Sequence, residues 1–134
     1  KEFIFSQLNV SASEGAQQFV SEEKAIELFG NILNTGGFYL VYRNIDNTIA
    51  GWILLGENID YYSDKNYGFL YDLYVLPIYR GKGISKELLN EAINTLKKFG
   101  HDEVRLNVFA TNSAKEIYKK LGFNDLNTIM TLKL

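Results

Sequence analysis

Tyr71-Asp72-Leu73-Tyr74-Val75-Leu76-Pro77-Ile78-Tyr79-Arg80-Gly81-Lys82-Gly83-Ile84-Ser85-Lys86 decides the fold. The run from Tyr67 to Leu76 is apolar almost without a break, Asp72 being its one charge. Such a run predicts a central strand, buried on both faces of a sheet. Pro77 stops it, and a glycine-containing loop follows from Tyr79 to Gly83. Ile84, Leu88, Leu89, Ala92, Ile93, Leu96 and Phe99 then recur at the helical period up to a stop at Gly100.

A strand that runs through a glycine loop into a helix has its own chemistry. The first N–H groups of a helix lack partners and carry the positive end of its dipole, which makes an anion site. Gly81 and Gly83 let the backbone approach the anion without a Cβ in the way, and Arg80, Lys82 and Lys86 add positive charge. A phosphate or pyrophosphate is the natural guest. The alternative is a tight loop whose glycines serve backbone geometry and whose cations are solvated. A P-loop, G-x-x-x-x-G-K-S/T, is absent. A dinucleotide fingerprint fails because Lys86 stands where its third glycine belongs.

Outward from this stretch, Ser11-Ala12-Ser13-Glu14 fits a capping box before a short helix. Ala25, Leu28, Phe29, Ile32 and Leu33 mark a helix closed by Gly36 and Gly37. Phe38 to Tyr42 and Thr48 to Leu55 read as a hairpin, and Gly56 to Asn66 as an acidic loop. Past the central helix, Glu103 to Phe109 alternates as a strand. A helix with Ala114, Ile117, Tyr118 and Leu121 on one face follows, capped by Asn112 and closed by Gly122. Asn127 to Leu134 alternates as a last strand. These elements make a layered α/β fold.

At 134 residues the chain is expected to be one domain over 1–134. It holds no cysteine, which removes disulfides, thiolate metal sites and a cysteine nucleophile, and one histidine, His101, which removes a His-rich metal site. No metal is therefore expected. Fourteen Lys and Arg against sixteen Asp and Glu give a net charge of −2, a poor match to nucleic acid. No apolar run reaches the ~18 residues of a membrane helix, and the opening Lys1-Glu2-Phe3-Ile4-Phe5 has no signal-peptide pattern. A cytoplasmic location is expected; Lys1 is not an initiator Met, which leaves open whether residues precede it.

Arg80-Gly81-Lys82-Gly83-Ile84-Ser85 resembles the acyl-CoA loop of the GNAT N-acetyltransferases, Q/R-x-x-G-x-G/A, with Ser85 in place of the final small residue. Asn112-Ser113-Ala114-Lys115-Glu116-Ile117-Tyr118-Lys119-Lys120-Leu121-Gly122-Phe123 resembles that family's second signature, N-x-x-A-x-x-x-Y-x-x-x-G-F. The two stand in order, one helix and one strand apart. The resemblance implies a mixed, mostly antiparallel sheet flanked by helices. It implies acetyl-CoA as co-substrate, with a central strand splayed from its neighbour so that the backbone of Leu73, Tyr74 and Val75 meets the pantetheine arm. The pyrophosphate would lie on the N–H groups of Arg80, Gly81, Lys82, Gly83, Ile84 and Ser85. Asn112 would contact the arm, and Tyr118 would lie near the thioester sulfur.

The implied reaction needs a neutral amine and a protonated thiol. An alkyl amine of pKa about 10.4 is neutral in roughly one molecule in 10³ at pH 7, a cost of about 4–5 kcal/mol. Asp72 is the candidate to bind the ammonium or take its proton, with Tyr71 beside it on the substrate side; the alternative is an Asp72–Arg105 ion pair. Tyr118 is the candidate acid for the thiolate; the alternative is a core aromatic. Glu57, Asp60 and Asp64 with Tyr61, Tyr62 and Tyr67 form either a mouth for a cation or a solvated loop.

The expected enzyme moves an acetyl group to a primary amine by direct attack, the acceptor being a small cationic amine such as a polyamine or an aminoglycoside-like compound. The alternatives are a protein N-terminal or lysine acetyltransferase, a non-catalytic acetyl-CoA or partner-binding module, and a plain phosphate binder. A homodimer covering an edge strand is also expected.

Overall fold

A computed structural model of the chain describes residues 22–134. The capping box at Ser11–Glu14 lies outside these residues. Helix α1 spans Glu22–Asn34, strands β1 and β2 span Phe38–Arg43 and Ile49–Ile59, and β3 spans Asn66–Val75. A single 3-10 turn at Pro77–Tyr79 leads to α2 at Ile84–Lys98, then β4 at Val104–Leu106 and α3 at Ala114–Lys120. The sheet order is β1-β2-β3-β4, with β1/β2 and β2/β3 antiparallel and β3/β4 parallel. This is the mixed, mostly antiparallel sheet expected.

Alternation along the strands sorts the core into two layers. Ala50, Ile53, Leu55, Leu70 and Val75 face α2, which answers with Ile84, Leu88, Leu89, Ala92 and Leu96. Trp52, Leu54 and Tyr74 face the other way, onto Phe29 of α1 with Ile32 and Leu33. Burying each large side chain contributes about 1.5–3 kcal/mol, so both faces hold the sheet. Among the described residues, no helix is long and apolar enough to cross a membrane.

The described helices end alike. Gly36 and Gly37 donate to Leu33 and Ile32, Gly100 and His101 to Lys97 and Leu96, and Gly122 and Phe123 to Lys119 and Tyr118. These paired bonds close each last turn. Gly122 needs its freedom, with φ at +105°, because this turn swings Phe123 back against Tyr118.

Several expectations change. Strand β2 continues through Glu57, Asn58 and Ile59, paired with Gly68, Tyr67 and Asn66, so the acidic loop shrinks to 60–65. Those side chains are exposed beyond the core, and their polarity hid the strand. The strand expected over Glu103–Phe109 is only Val104–Leu106, because the chain leaves β3 there. Asn127–Leu134 forms no strand, and Ile129 is 96% exposed. An alternating sequence becomes a strand only where a neighbour supplies a ladder, and three-residue β4 supplies little. Ile117 and Phe99, expected on buried helix faces, are exposed, Phe99 resting against Phe38 at its helix end.

Candidate functional site

The register of β3 builds the site. Asp72 pairs with Leu54 and Leu70 with Leu55, so Tyr71 is an extra residue and forms a bulge. A bulge bends its strand and increases its twist. On the other side, β4 accompanies β3 only at Gly68, Phe69 and Leu70. From Tyr71 to Val75, β3 has β2 on one edge and, among the described residues, no strand on the other. Leu73 and Tyr71 are half-buried there, whereas Tyr74 and Val75 are buried against the core.

The open edge leads into the glycine loop. Arg80 folds back on the strand: Nε donates to the Val75 carbonyl at 2.8 Å, and the guanidinium lies 5.2 Å from the Tyr74 ring centre. Its backbone N–H donates to Pro77 O. Arg80 therefore braces the strand, which leaves the donors from Gly81 onward to face the loop. Gly81 and Gly83 have φ of +81° and +80°, a region that other residues adopt only under strain. Gly83 starts α2, and Ile84, half-buried Ser85 and Lys86 carry first-turn N–H groups with no acceptor one turn upstream. Lys82 lies over the Tyr79 ring at 5.7 Å.

Asp72 points to the α1 face, opposite Leu73, and Trp52 Nε1 donates to its Oδ2 at 3.0 Å. The alternative pairing with Arg105 does not form. Arg105 instead holds Asp60 and Glu103 at 2.6 and 2.9 Å and lies over the Tyr67 ring. Asp60 thereby leaves the supposed cation mouth, Tyr67 is buried, and Glu57 stands 2.9 Å from His101 Nε2. The contact distance suits a charge pair, but its alignment is not that of a hydrogen bond, so His101 Nε2 remains unbonded. This cluster ties the hairpin to β4, at the end of β3 remote from the glycine loop.

Tyr118 is half-buried against the α2-side core, edge-on to Phe123 at 6.0 Å. Burial first, and the Asp72 charge second, push its phenol above the usual value. The same two causes act on Tyr39 of β1, and burial also raises Tyr71. The Asp72 charge thus reaches both phenols, Tyr39 and Tyr118. Asn112 Oδ1 accepts from the Ala114 N–H at 2.9 Å, at the start of α3. Trp52, whose default reading in the hairpin strand is a core or rim position, is buried, and its link to Asp72 two register positions along comes only from strand pairing.

The sequence model of the Acetyltransferase (GNAT) family matches residues 5–123. The chain is 34% identical over 101 residues to a [Ribosomal protein bS18]-alanine N-acetyltransferase of Haemophilus influenzae, covering 74% of this chain and 65% of that one. It thus spans about two-thirds of that relative's length. A Pyrococcus furiosus structure assigned as an acetyl transferase superposes with TM-score 0.87 at 25% identity, over 99% of this chain and 93% of the other. An aminoglycoside N-acetyltransferase solved in complex with CoA superposes with TM-score 0.72 at 15% identity, over 100% and 90%. That last likeness speaks to fold alone.

Proposed function

The chain belongs to the acetyltransferase (GNAT) family, and from that premise we propose that it moves an acetyl group from acetyl-CoA to a primary amine by direct attack. One observation carries the reading: β4 leaves β3 after Leu70, and the open edge from Tyr71 to Val75 runs straight to the Gly81–Gly83 loop and the start of α2. In this reading Leu73, Tyr74 and Val75 border the pantetheine arm. The pyrophosphate takes the N–H groups of Gly81, Lys82, Gly83, Ile84 and Ser85, with Arg80 bracing the loop. Asn112 meets the arm through its amide donors.

The amine nitrogen attacks the thioester carbon, the C–N bond forms and the C–S bond breaks. Asp72 takes the proton the amine gives up, and Tyr118 supplies one to the departing sulfur. A phenol donating to a thiolate of pKa about 8.5 works uphill by about 2 kcal/mol or more, small against the barrier the transfer must cross. Tyr71 borders the acceptor beside Asp72, and a carboxylate among aromatic rings suits a cationic amine. We place the acceptor among small cationic amines. A protein N-terminal alanine is the second reading, favoured by the 34% identity to the bS18 enzyme. A reducing cytoplasm suits a chain without cysteine.

Calorimetric titration with CoA, acetyl-CoA and ATP, on wild type and Gly83→Trp, tests the loop. Thiol release with a polyamine, an aminoglycoside and an alanine-initiated peptide then tests transfer. Acetyl-CoA binding lost in the variant, followed by amine-dependent thiol release, is expected. Binding without release from any amine would identify a sensor instead, and absence of binding to either CoA form would overturn the proposal.

A further inference from the structure

Trp52 is the chain's only tryptophan and is fully buried, in β2, with its ring 5.2 Å from that of Tyr74. Register puts Trp52 opposite Tyr74 and Asp72 opposite Leu54, so the indole reaches diagonally across the ladder to the carboxylate. Its N–H donates to Asp72 Oδ2 at 3.0 Å. Indole nitrogen can only donate, and a donor bound to a carboxylate favours the ionised form.

We infer that Trp52 is a positioning residue, which keeps the Asp72 carboxylate ionised and fixed in direction for the acceptor amine. The inference rests on the role proposed for Asp72. Among the described residues, the groups near that carboxylate include Tyr39 from β1, Trp52 from β2, Tyr71 and Tyr74 from β3, and Tyr118 from α3, with Arg80 over Tyr74. From α1 come the apolar Phe29, Ile32 and Leu33. The Tyr39 and Tyr118 phenols stay protonated around neutral pH, and the indole is a bonded donor to Asp72 from β2. Removing the N–H while keeping an aromatic ring should therefore make the carboxylate easier to protonate.

The test is the pH profile of kcat/KM in Trp52→Phe, with the acceptor that supports thiol release. The acid limb should move up by about one pH unit, the shift expected for losing one hydrogen bond to a charged group. Activity on the alkaline side of that limb should change less. Because the chain has one tryptophan, global replacement by its benzothiophene analogue removes the N–H while keeping the ring shape, and serves if Trp52→Phe folds poorly. A second readout is independent of turnover. The single indole ¹⁵N–¹H signal should titrate at the pH of the kinetic limb and stop titrating in Asp72→Asn. An unmoved limb, or an indole signal indifferent to Asp72→Asn, overturns the inference. If Asp72→Asn loses activity while the limb in Trp52→Phe stays put, this inference alone fails. If Asp72→Asn leaves kcat/KM unchanged, the base assignment falls and takes this inference with it.

Discussion

Arg105 Nη2 stands 2.6 Å from Asp60 Oδ2 and joins the tip of the β2–β3 hairpin to β4, residues 45 positions apart in the chain. Bonds from Arg105 first, then from the Ser63 and Tyr62 N–H groups, lower the Asp60 carboxyl to about 2. A carboxylate depressed on folding contributes stability above its unfolded pKa of about 4 and loses it as pH falls through its folded value. Thermal unfolding of wild type should therefore weaken between about pH 4 and pH 2, and Asp60→Asn should flatten that part of the curve.

Gly81→Ala separates backbone strain from binding. A Cβ there meets nothing within 4 Å, but φ is +81°. The fold should lose about 1–2 kcal/mol by denaturant titration. Calorimetry should show acetyl-CoA weakened about tenfold or more if the loop backbone must close on a phosphate, since 1.4 kcal/mol is a factor of ten.

Tyr118→Phe keeps the ring against Phe123 and removes only the hydroxyl. Loss of a positioned acid typically costs about 10²-fold or more, so kcat should fall by that order while the Kd for acetyl-CoA stays near wild type. Because burial and Asp72 raise the wild-type phenol, no alkaline loss attributable to Tyr118 should appear below about pH 10. Steady-state kinetics across pH would check both statements.

Asn112→Ala should remove the bond to the Ala114 N–H. Losing such a cap costs about 1 kcal/mol. A drop in acetyl-CoA affinity beyond that of a stability-matched surface variant would identify the amide as a ligand contact; equal affinity would confine Asn112 to capping.

The two signatures made the centre of the molecule legible. Strand β3, the positive φ of Gly81 and Gly83, and α2 follow from a run of apolar residues, Pro77 and helical spacing. The departure of β4 came only through family resemblance, since Val104, Leu106 and Val108 alternate without interruption and nothing local stops the strand. The bulge at Tyr71 is likewise invisible, because register is a property of two strands and not of one. The same limit explains Asp72 and Arg105: one strand shows that a buried charge needs a partner, but only pairing shows that Trp52 is near it and that Asp60 claims the arginine. Asn127–Leu134 failed for the complementary reason, as alternation describes a willing strand and says nothing about a neighbour.

The short seam between β3 and β4 also works as a ruler. It closes at Leu70–Leu106 and leaves five residues, Tyr71 to Val75, without a described strand on that edge. At about 3.3 Å per residue that is roughly 16 Å of edge. An acyl arm entering from the glycine loop, as proposed above, would meet a dead end where the ladder resumes. Each further rung between the two strands would shorten this edge by about 3.3 Å, so in the proposed reading the length of group accepted would be set in whole residues, by where two strands part company.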